Sequence, residues 1–356
     1  MADEAETKVS PAVAGVVAKP EKVVKVEVVQ AHANSSDEEN EDGETEDPDV
    51  DDSEILQDLP DDTEEIELIH SKLFSISKLG LPRFTKLRKL CLRQNYISKL
   101  EAEDFDPLVD LEELDLYDNR LKRVGDALNN AKNISVLDLS FNNIKHVPEC
   151  IAHMQNLKTV YFVQNRIAHI SGFESASVSL RSLELGGNKI RKIEGLDTLV
   201  NLEELWLGKN KIAKLENLDA LKKLKILSIQ SNRIEKLEGL ENLENLTELY
   251  ISHNGIKKLE GLEKNVKLHT LDVTSNFISE LENISHLKEL EELWISHNKI
   301  ANLQSVEKEL KDISTLETVY LEGNPLHHIE GAHYRRKVIL ALPQLKQLDA
   351  TYIRTT

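Results

Sequence analysis

From residue 66 onward one short phrase keeps returning: two apolar residues flanking a variable one, then an asparagine three positions further on. Leu183-Glu-Leu-Gly-Gly-Asn188, Leu205-Trp-Leu-Gly-Lys-Asn210, Leu227-Ser-Ile-Gln-Ser-Asn232 and Leu249-Tyr-Ile-Ser-His-Asn254 are typical. The asparagines fall at Asn95, Asn119, Asn142, Asn165, Asn188, Asn210, Asn232, Asn254, Asn276, Asn298 and Asn324, spaced 22 to 26 residues apart. Ile66-Glu-Leu-Ile-His-Ser71 fits the same frame with Ser71 in the asparagine slot, which gives twelve repeats. A unit this small cannot bury its own leucines, so neighbours must stack, and the stacking dictates the rest of the fold.

Side chains along a strand alternate in direction, so the two apolar residues of each phrase share the buried face and the middle one points away. Period, leucines and asparagines are those of leucine-rich repeats. They predict an α/β solenoid with a parallel sheet on its concave side and helical or 3₁₀ turns on its convex side, bent into an arc by the unequal widths of the two layers. Each asparagine amide is placed to satisfy backbone groups in the turn after the strand, a structural role that Ser71 fills less well. Open ends would expose leucines and an unpaired strand edge, so caps are required. After Asn324 and Pro325, the stretch Tyr334 to Leu342 reads as a helix stopped by Pro343, and Leu345 to Asp349 as a last turn over the core. At the other end Ile55, Leu56 and Leu59 offer a weak cover. The expected organisation is an acidic tail over 1–65, twelve repeats of about 22 residues over 66–324, and a cap over 325–356.

The formal charge of −19 is concentrated in the tail: Asp37 to Glu65 holds 17 acidic residues and no basic one, which leaves residues 66–356 near −1. With few aliphatics, and with Pro48 and Pro60, that tract cannot offset its ordering entropy and is expected to be disordered. Ser35 and Ser36 run into Asp37-Glu38-Glu39 and are candidate phosphorylation sites for an acid-directed kinase. Two cysteines, Cys91 and Cys150, cannot build a disulfide framework or a structural zinc site, so a reducing compartment is expected. The chain starts acidic, and no apolar run approaches the ~18 residues of a membrane span, so neither secretion nor membrane insertion is expected. Sequons at Asn34, Asn133, Asn245 and Asn283 then read as incidental. The near-neutral net charge of the repeats argues against a nucleic-acid partner.

Function in such a fold sits on the exposed slot between the two apolar residues of each strand. In order these slots hold Glu67, Cys91, Asp115, Asp138, Tyr161, Glu184, Trp206, Ser228, Tyr250, Asp272, Trp294 and Tyr320. Both tryptophans and three of the seven tyrosines of the chain occupy this one position. Strand preference for aromatics does not explain why they choose the outward slot. Exposed Trp and Tyr are the usual anchors of interfaces, so the concave wall is read as a protein-binding surface. From Asp138 to Tyr320 it runs over eight strand steps, about 38 Å at ~4.8 Å each, enough for one globular partner. Asp115, Asp138, Glu184, Asp272 and Glu292 imply that the facing surface carries Arg or Lys.

Other patterns fall within the repeat. Ser252-His253-Asn254 and Ser296-His297-Asn298 look like triads on paper but are strand-to-turn segments whose neighbours point different ways, and no catalytic site is assigned. His327-His328 reads as a solvated loop without a third ligand, and no metal or cofactor is expected. Lys158-Thr-Val-Tyr-Phe162 is similar to a basic-x-Val-x-Phe docking motif, yet Val160 and Phe162 fall on buried repeat positions and read as core.

Cys91-Leu-Arg-Gln-Asn95, Leu114-Asp-Leu-Tyr-Asp-Asn119, Leu207-Gly-Lys-Asn210, Ser252-His-Asn-Gly255, Thr318-Val-Tyr-Leu-Glu322 and Tyr334-Arg-Arg-Lys-Val338 together resemble the regulatory-subunit-7 family of type-1 serine/threonine protein phosphatase, over essentially all of residues 66–356. The resemblance implies a non-enzymatic subunit that grips the phosphatase catalytic subunit with its concave face and controls its activity, maturation or localisation. It places the contacts at Asp138, Tyr161, Glu184, Trp206, Asp272, Glu292, Trp294 and Tyr320. Tyr161 and Trp206 depart from the Phe common in the family. Inhibitor-3 as a third partner, residence in nucleus and cytoplasm, and a role in mitosis are further implications. Two rival readings are an acidic leucine-rich nuclear protein that binds histones through its acidic tract, and a leucine-rich-repeat scaffold without a phosphatase link. The N-terminal position of the tract argues against the first, and the aromatic slots argue against the second.

Overall fold

A computed structural model describes residues 51–176 and 178–354 and the backbone of Val23–Lys25. Twelve three-residue strands, from Glu65–Glu67 to Thr318–Tyr320, pair in parallel with their neighbours in sequence, and the sheet order follows the chain without a crossover. The register is unbroken, so that Leu183, Leu205, Leu227, Leu249, Leu271 and Leu293 align and each is fully buried. At ~1.5–3 kcal/mol for burying a leucine side chain, this repeated column is the main source of cohesion.

Asparagine joins each repeat to the one before it. The Asn188 carboxamide oxygen accepts the Ile167 N–H at 2.9 Å, while its NH₂ donates to Phe162 O at 2.7 Å and Leu185 O at 3.0 Å. The same set recurs from Asn95, which reaches Leu73 N, Leu68 O and Leu92 O, to Asn324, which reaches Ile300 N, Ile295 O and Leu321 O. Ser71 makes only a local bond to Ile69 O at 3.4 Å, as an entry repeat would. The residue before each marker adopts a left-handed conformation, for example Lys209 (φ 54°), His253 (φ 55°) and His297 (φ 54°), which turns the chain sharply off the sheet.

The other side of the solenoid is less helical than the sequence suggested. Short helical turns occur at Leu81–Arg83, Ala102–Phe105, Glu149–His153 and Glu174–Ala176, and a longer helix at Leu303–Leu310. All lie in repeats of 23 residues or more; the five 22-residue repeats between Asn188 and Asn298 return through tight turns alone. Those repeats lack the residues needed to wind a turn and still cross back to the sheet.

Both ends are covered. Residues 51–64 fold against the first repeat, with Leu56 fully buried and Ile55 and Leu59 packed on the core. Arg83 ties this cover down through Asp61 Oδ1 and Leu56 O. The folded body therefore begins well before the expected boundary at residue 65, because three aliphatics suffice to anchor an otherwise acidic segment. Val23–Lys25 adds a parallel strand beside Glu65–Glu67, inside the stretch read as a disordered tail. Ser35 and Ser36 lie outside the described residues.

At the C-terminal end, helix Tyr334–Ala341 follows Pro325–Glu330, and Gln347–Leu348 adds the last parallel strand. Asp349 then takes a left-handed conformation (φ 52°). Its Oδ1 accepts the N–H groups of Leu321 (2.7 Å) and Glu322 (2.9 Å), its Oδ2 accepts the Tyr334 hydroxyl (3.0 Å), and the chain reverses into an antiparallel strand at Thr351–Tyr352.

Candidate functional site: the concave sheet face

The strand register places all twelve slot residues, from Glu67 to Tyr320, in one row across the sheet. The row divides into an acidic half and an aromatic half.

The aromatic half runs Trp206, Ser228, Tyr250, Asp272, Trp294, Tyr320. Trp206 and Tyr250 stack with centroids 6.4 Å apart and planes 16° from parallel, Tyr250 and Trp294 lie 6.1 Å apart, and Trp294 meets Tyr320 edge-on at 6.0 Å. The first two pairs span an intervening strand, a distance of about 9–10 Å between backbones. The rings close that gap by leaning over the smaller residue between them. Ser228 and Asp272 are consequently only 3% and 6% exposed, which moves Asp272 from an open contact position to the floor of the aromatic wall.

The polar tips of the rings are held from the sheet. Trp294 Nε1 donates to Glu292 Oε2 at 3.0 Å, Tyr250 OH donates to Glu248 Oε2 at 2.8 Å, and Gln347 Nε2 donates to Tyr320 OH at 2.7 Å. Glu292 and Glu248 stand two residues before their aromatic on the same strand face, so period two alone brings each pair together. Burial and Glu248 together push the Tyr250 phenol well above its ordinary pKa, so that it stays a donor. Fixed rings with satisfied tips lose little entropy when covered, which suits an interface anchor.

In the acidic half, Asp115, Asp138, Tyr161 and Glu184 are consecutive in the row. Burial raises the Glu184 carboxyl above its usual range, and the neighbouring Asp138 and Glu204 raise it further. Asp115 is raised by burial and by Asp138, against Arg93 at 3.3 Å. Asp138 Oδ1 accepts the Ser140 N–H at 2.8 Å, which fixes its orientation. The Tyr161 phenol is raised by burial and by Glu184, Asp138 and Glu204. Carboxylates that crowd one another gain from an incoming cation.

The expected contact residues thus fall into two groups: Asp138, Tyr161 and Glu184, and Trp206, Asp272, Glu292, Trp294 and Tyr320. Tyr250, the middle of the ring chain, is absent from that set although the slot pattern contains it. Glu204, Glu248 and Gln347 lie outside the expected set because the position two residues before the slot enters it at Glu292 alone.

Val160 and Phe162 are fully buried, as core residues should be. His327 and His328 sit in helix Pro325–Glu330 and not in a loop, because Asn324 and Pro325 start a helix there; the His327 ring packs 4.4 Å from Tyr334. Among the described residues no group of three His, Cys, Asp or Glu side chains is arranged to hold a metal, and no helix is long and apolar enough to cross a membrane.

A leucine-rich-repeat family profile matches residues 174–280. Similar curated proteins include the protein phosphatase 1 regulatory subunit SDS22 of Saccharomyces cerevisiae, 48% identical over 84 residues (24% of this chain and 25% of that protein). The Schizosaccharomyces pombe SDS22 is 50% identical over 83 residues, 23% of this chain and 24% of its own length. Protein phosphatase 1 regulatory subunit 7 of Mus musculus is 61% identical over 46 residues, 13% and 12% of the two chains. The matched segments span about a quarter of the two yeast relatives. Among solved structures, an internalin of Listeria monocytogenes superposes over 85% of this chain and 89% of its own, with a TM-score of 0.65 at 22% identity, a likeness of fold. The chain is a leucine-rich-repeat solenoid whose repeats are similar in sequence to those of the SDS22 and subunit-7 regulators of protein phosphatase 1.

Proposed function

We propose that this protein is a non-catalytic regulator that binds the catalytic subunit of type-1 serine/threonine protein phosphatase through its concave face. The observation that carries the reading is the continuous wall Trp206, Tyr250, Trp294 and Tyr320, with hydrogen-bonded tips at Tyr250, Trp294 and Tyr320, beside a row of crowded carboxylates. It supplies a rigid apolar anchor and a cation-seeking rim in a chain whose relatives are named phosphatase regulatory subunits. A regulator of this kind acts by differential affinity for states of its target. Here the proposal is capture of an inactive or metal-poor catalytic subunit, with later release; inhibitor-3 as a third partner, both nuclear and cytoplasmic pools, and a mitotic role belong to the same reading.

The test is a pull-down with purified catalytic subunit, using the full chain, Trp294→Ala, and a chain lacking residues 1–50. Full and shortened chains should bind, and folded Trp294→Ala should lose about 2–4 kcal/mol of affinity. Binding that survives Trp294→Ala and disappears with residues 1–50 would move the site off the sheet. Equal affinity for metal-replete and metal-depleted catalytic subunit would remove state capture and leave binding intact.

A further inference from the structure

The near-neutral charge of the repeats conceals a separation of charge between the two flanks of the sheet. On the flank that enters the strands, cations are paired across repeats: Lys86 with Asp110, Arg88 with Glu112, Lys225 with Glu203, Lys346 with Glu317. On the opposite flank, the residues just after the marker asparagines from Asn119 to Asn232 form a row of cations, Arg120, Arg166, Lys189, Lys211 and Arg233, broken by Asn143; Tyr96 precedes the row, and Gly255 and Phe277 follow it. They stack in register, since the backbone N–H of each donates to the preceding repeat, as Lys189 does to Ile167 O and Lys211 to Ile190 O, both at 2.8 Å. Lys122, Lys145, Arg191 and Lys192 widen the row two or three residues further along three of the turns, while Ala168, Ala213 and Glu235 take that place in the others. All of these side chains are exposed except that of Lys211, which is half-buried, and among the described residues none forms an ion pair with a carboxylate.

Such a row of closely spaced cations repels itself and attracts an extended anionic chain. We propose that it is the docking surface for this protein's own acidic tract, centred on Asp37-Glu38-Glu39-Asn40-Glu41-Asp42. Charge complementarity is the first argument: residues 37–50 carry nine carboxylates and no cation, while the row presents cations without carboxylates. Tethering is the second. Val23–Lys25 pairs with Glu65–Glu67 and Asp51 lies in the N-terminal cover, so the segment 26–50 leaves from and returns to the first repeat. Its midpoint falls at Glu38, about 12 residues from either end, a reach of ~40 Å at ~3.3 Å per residue. From the first repeat to Arg233 is seven strand steps, about 34 Å. The most acidic part of the segment is therefore the part able to travel furthest along the row.

Carbodiimide crosslinking of the full chain, which joins amine to carboxylate only in direct contact, tests this. In the monomer fraction, Lys122, Lys145, Lys189, Lys192 and Lys211 should link to acids between Asp37 and Asp49 at low salt. At 0.5 M NaCl these links should fall at least fivefold, and they should be absent when the nine acids are replaced by Asn and Gln. Links confined to Lys86, Lys223 and Lys225 on the other flank, or links seen only between two copies of the chain, would overturn the proposal. So would an unlinked tract in a full chain that instead retains a single-stranded oligonucleotide through Arg166 and Lys189.

Discussion

The rings of Trp206 and Tyr250 stack 6.4 Å apart although a whole strand runs between them, because the residue they lean over is Ser228. The aromatic wall thus depends on a residue that no partner would touch. Ser228→Leu should wedge the rings apart at a cost of about 1–3 kcal/mol in overpacking, alter the near-ultraviolet circular dichroism of the Trp206 stack and weaken phosphatase binding about tenfold. An unchanged near-ultraviolet spectrum would mean that the rings do not depend on a small floor.

Tyr250 joins the two tryptophans, and its hydroxyl is tied to Glu248. Tyr250→Ala should cost about 2 kcal/mol in binding, while Tyr250→Phe, which keeps the stack, should cost much less. Titration calorimetry of the two variants against the catalytic subunit separates packing from the hydroxyl.

Asn188 and Asn232 make the same ladder bonds, but Asn188 is buried and Asn232 is half-buried. Stranded backbone groups cost more where water cannot reach them. Asn188→Ala should lose about 3 kcal/mol of stability and Asn232→Ala roughly half of that, measured by urea unfolding. Equal losses would show that neighbour pairing, and not burial, sets the cost.

Asp104 is buried with Oδ2 unpartnered, and burial, with Glu101 and Glu103 nearby, pushes its carboxyl up to about 6. A carboxyl raised in the folded state stabilises that state only while protonated. Its destabilising effect is absent below the unfolded value near 4, grows as pH rises to about 6, and is complete above that. Asp104→Asn should therefore raise the melting temperature at pH 7.5 by a few degrees and leave it unchanged at pH 4.

Lowering the pH should also weaken partner binding through Glu184, whose raised carboxyl takes up a proton before an ordinary glutamate does. Glu184→Gln should flatten the dependence of affinity on pH between 7 and 5. A slope unaltered by that change would place the titrating group elsewhere.

The sequence made the solenoid legible because each leucine and asparagine has one job that repeats at a fixed interval. What it concealed depends on contacts between repeats. Ser228 and Asp272 look exposed in the phrase, and only the size of their neighbours on adjacent strands buries them. Glu248 and Gln347 look like surface filler until the register sets them beside Tyr250 and Tyr320. The helical and 3₁₀ turns of the convex side follow from the repeat pattern, but which repeats carry them depends on repeat length, and the 22-residue units have none. The N-terminal cover is hard to see in the sequence because its surroundings are acidic, yet Leu56, fully inserted between Ile55 and Leu59, is enough with them to anchor it.

Every marker asparagine both gives and accepts hydrogen bonds, so it can relay the pattern to a further repeat. Asp349 can only accept. By drawing the N–H groups of Leu321 and Glu322, just past the strand Thr318–Tyr320, onto its carboxylate while the backbone turns away, it acts as a stop signal written in one side chain. The two edges of the sheet consequently differ in how they are finished: at the C-terminal edge stands the short antiparallel strand Thr351–Tyr352, whose carbonyls accept hydrogen bonds from Arg335, and at the N-terminal edge the three residues Val23–Lys25, both too short to give a foreign strand much to pair with.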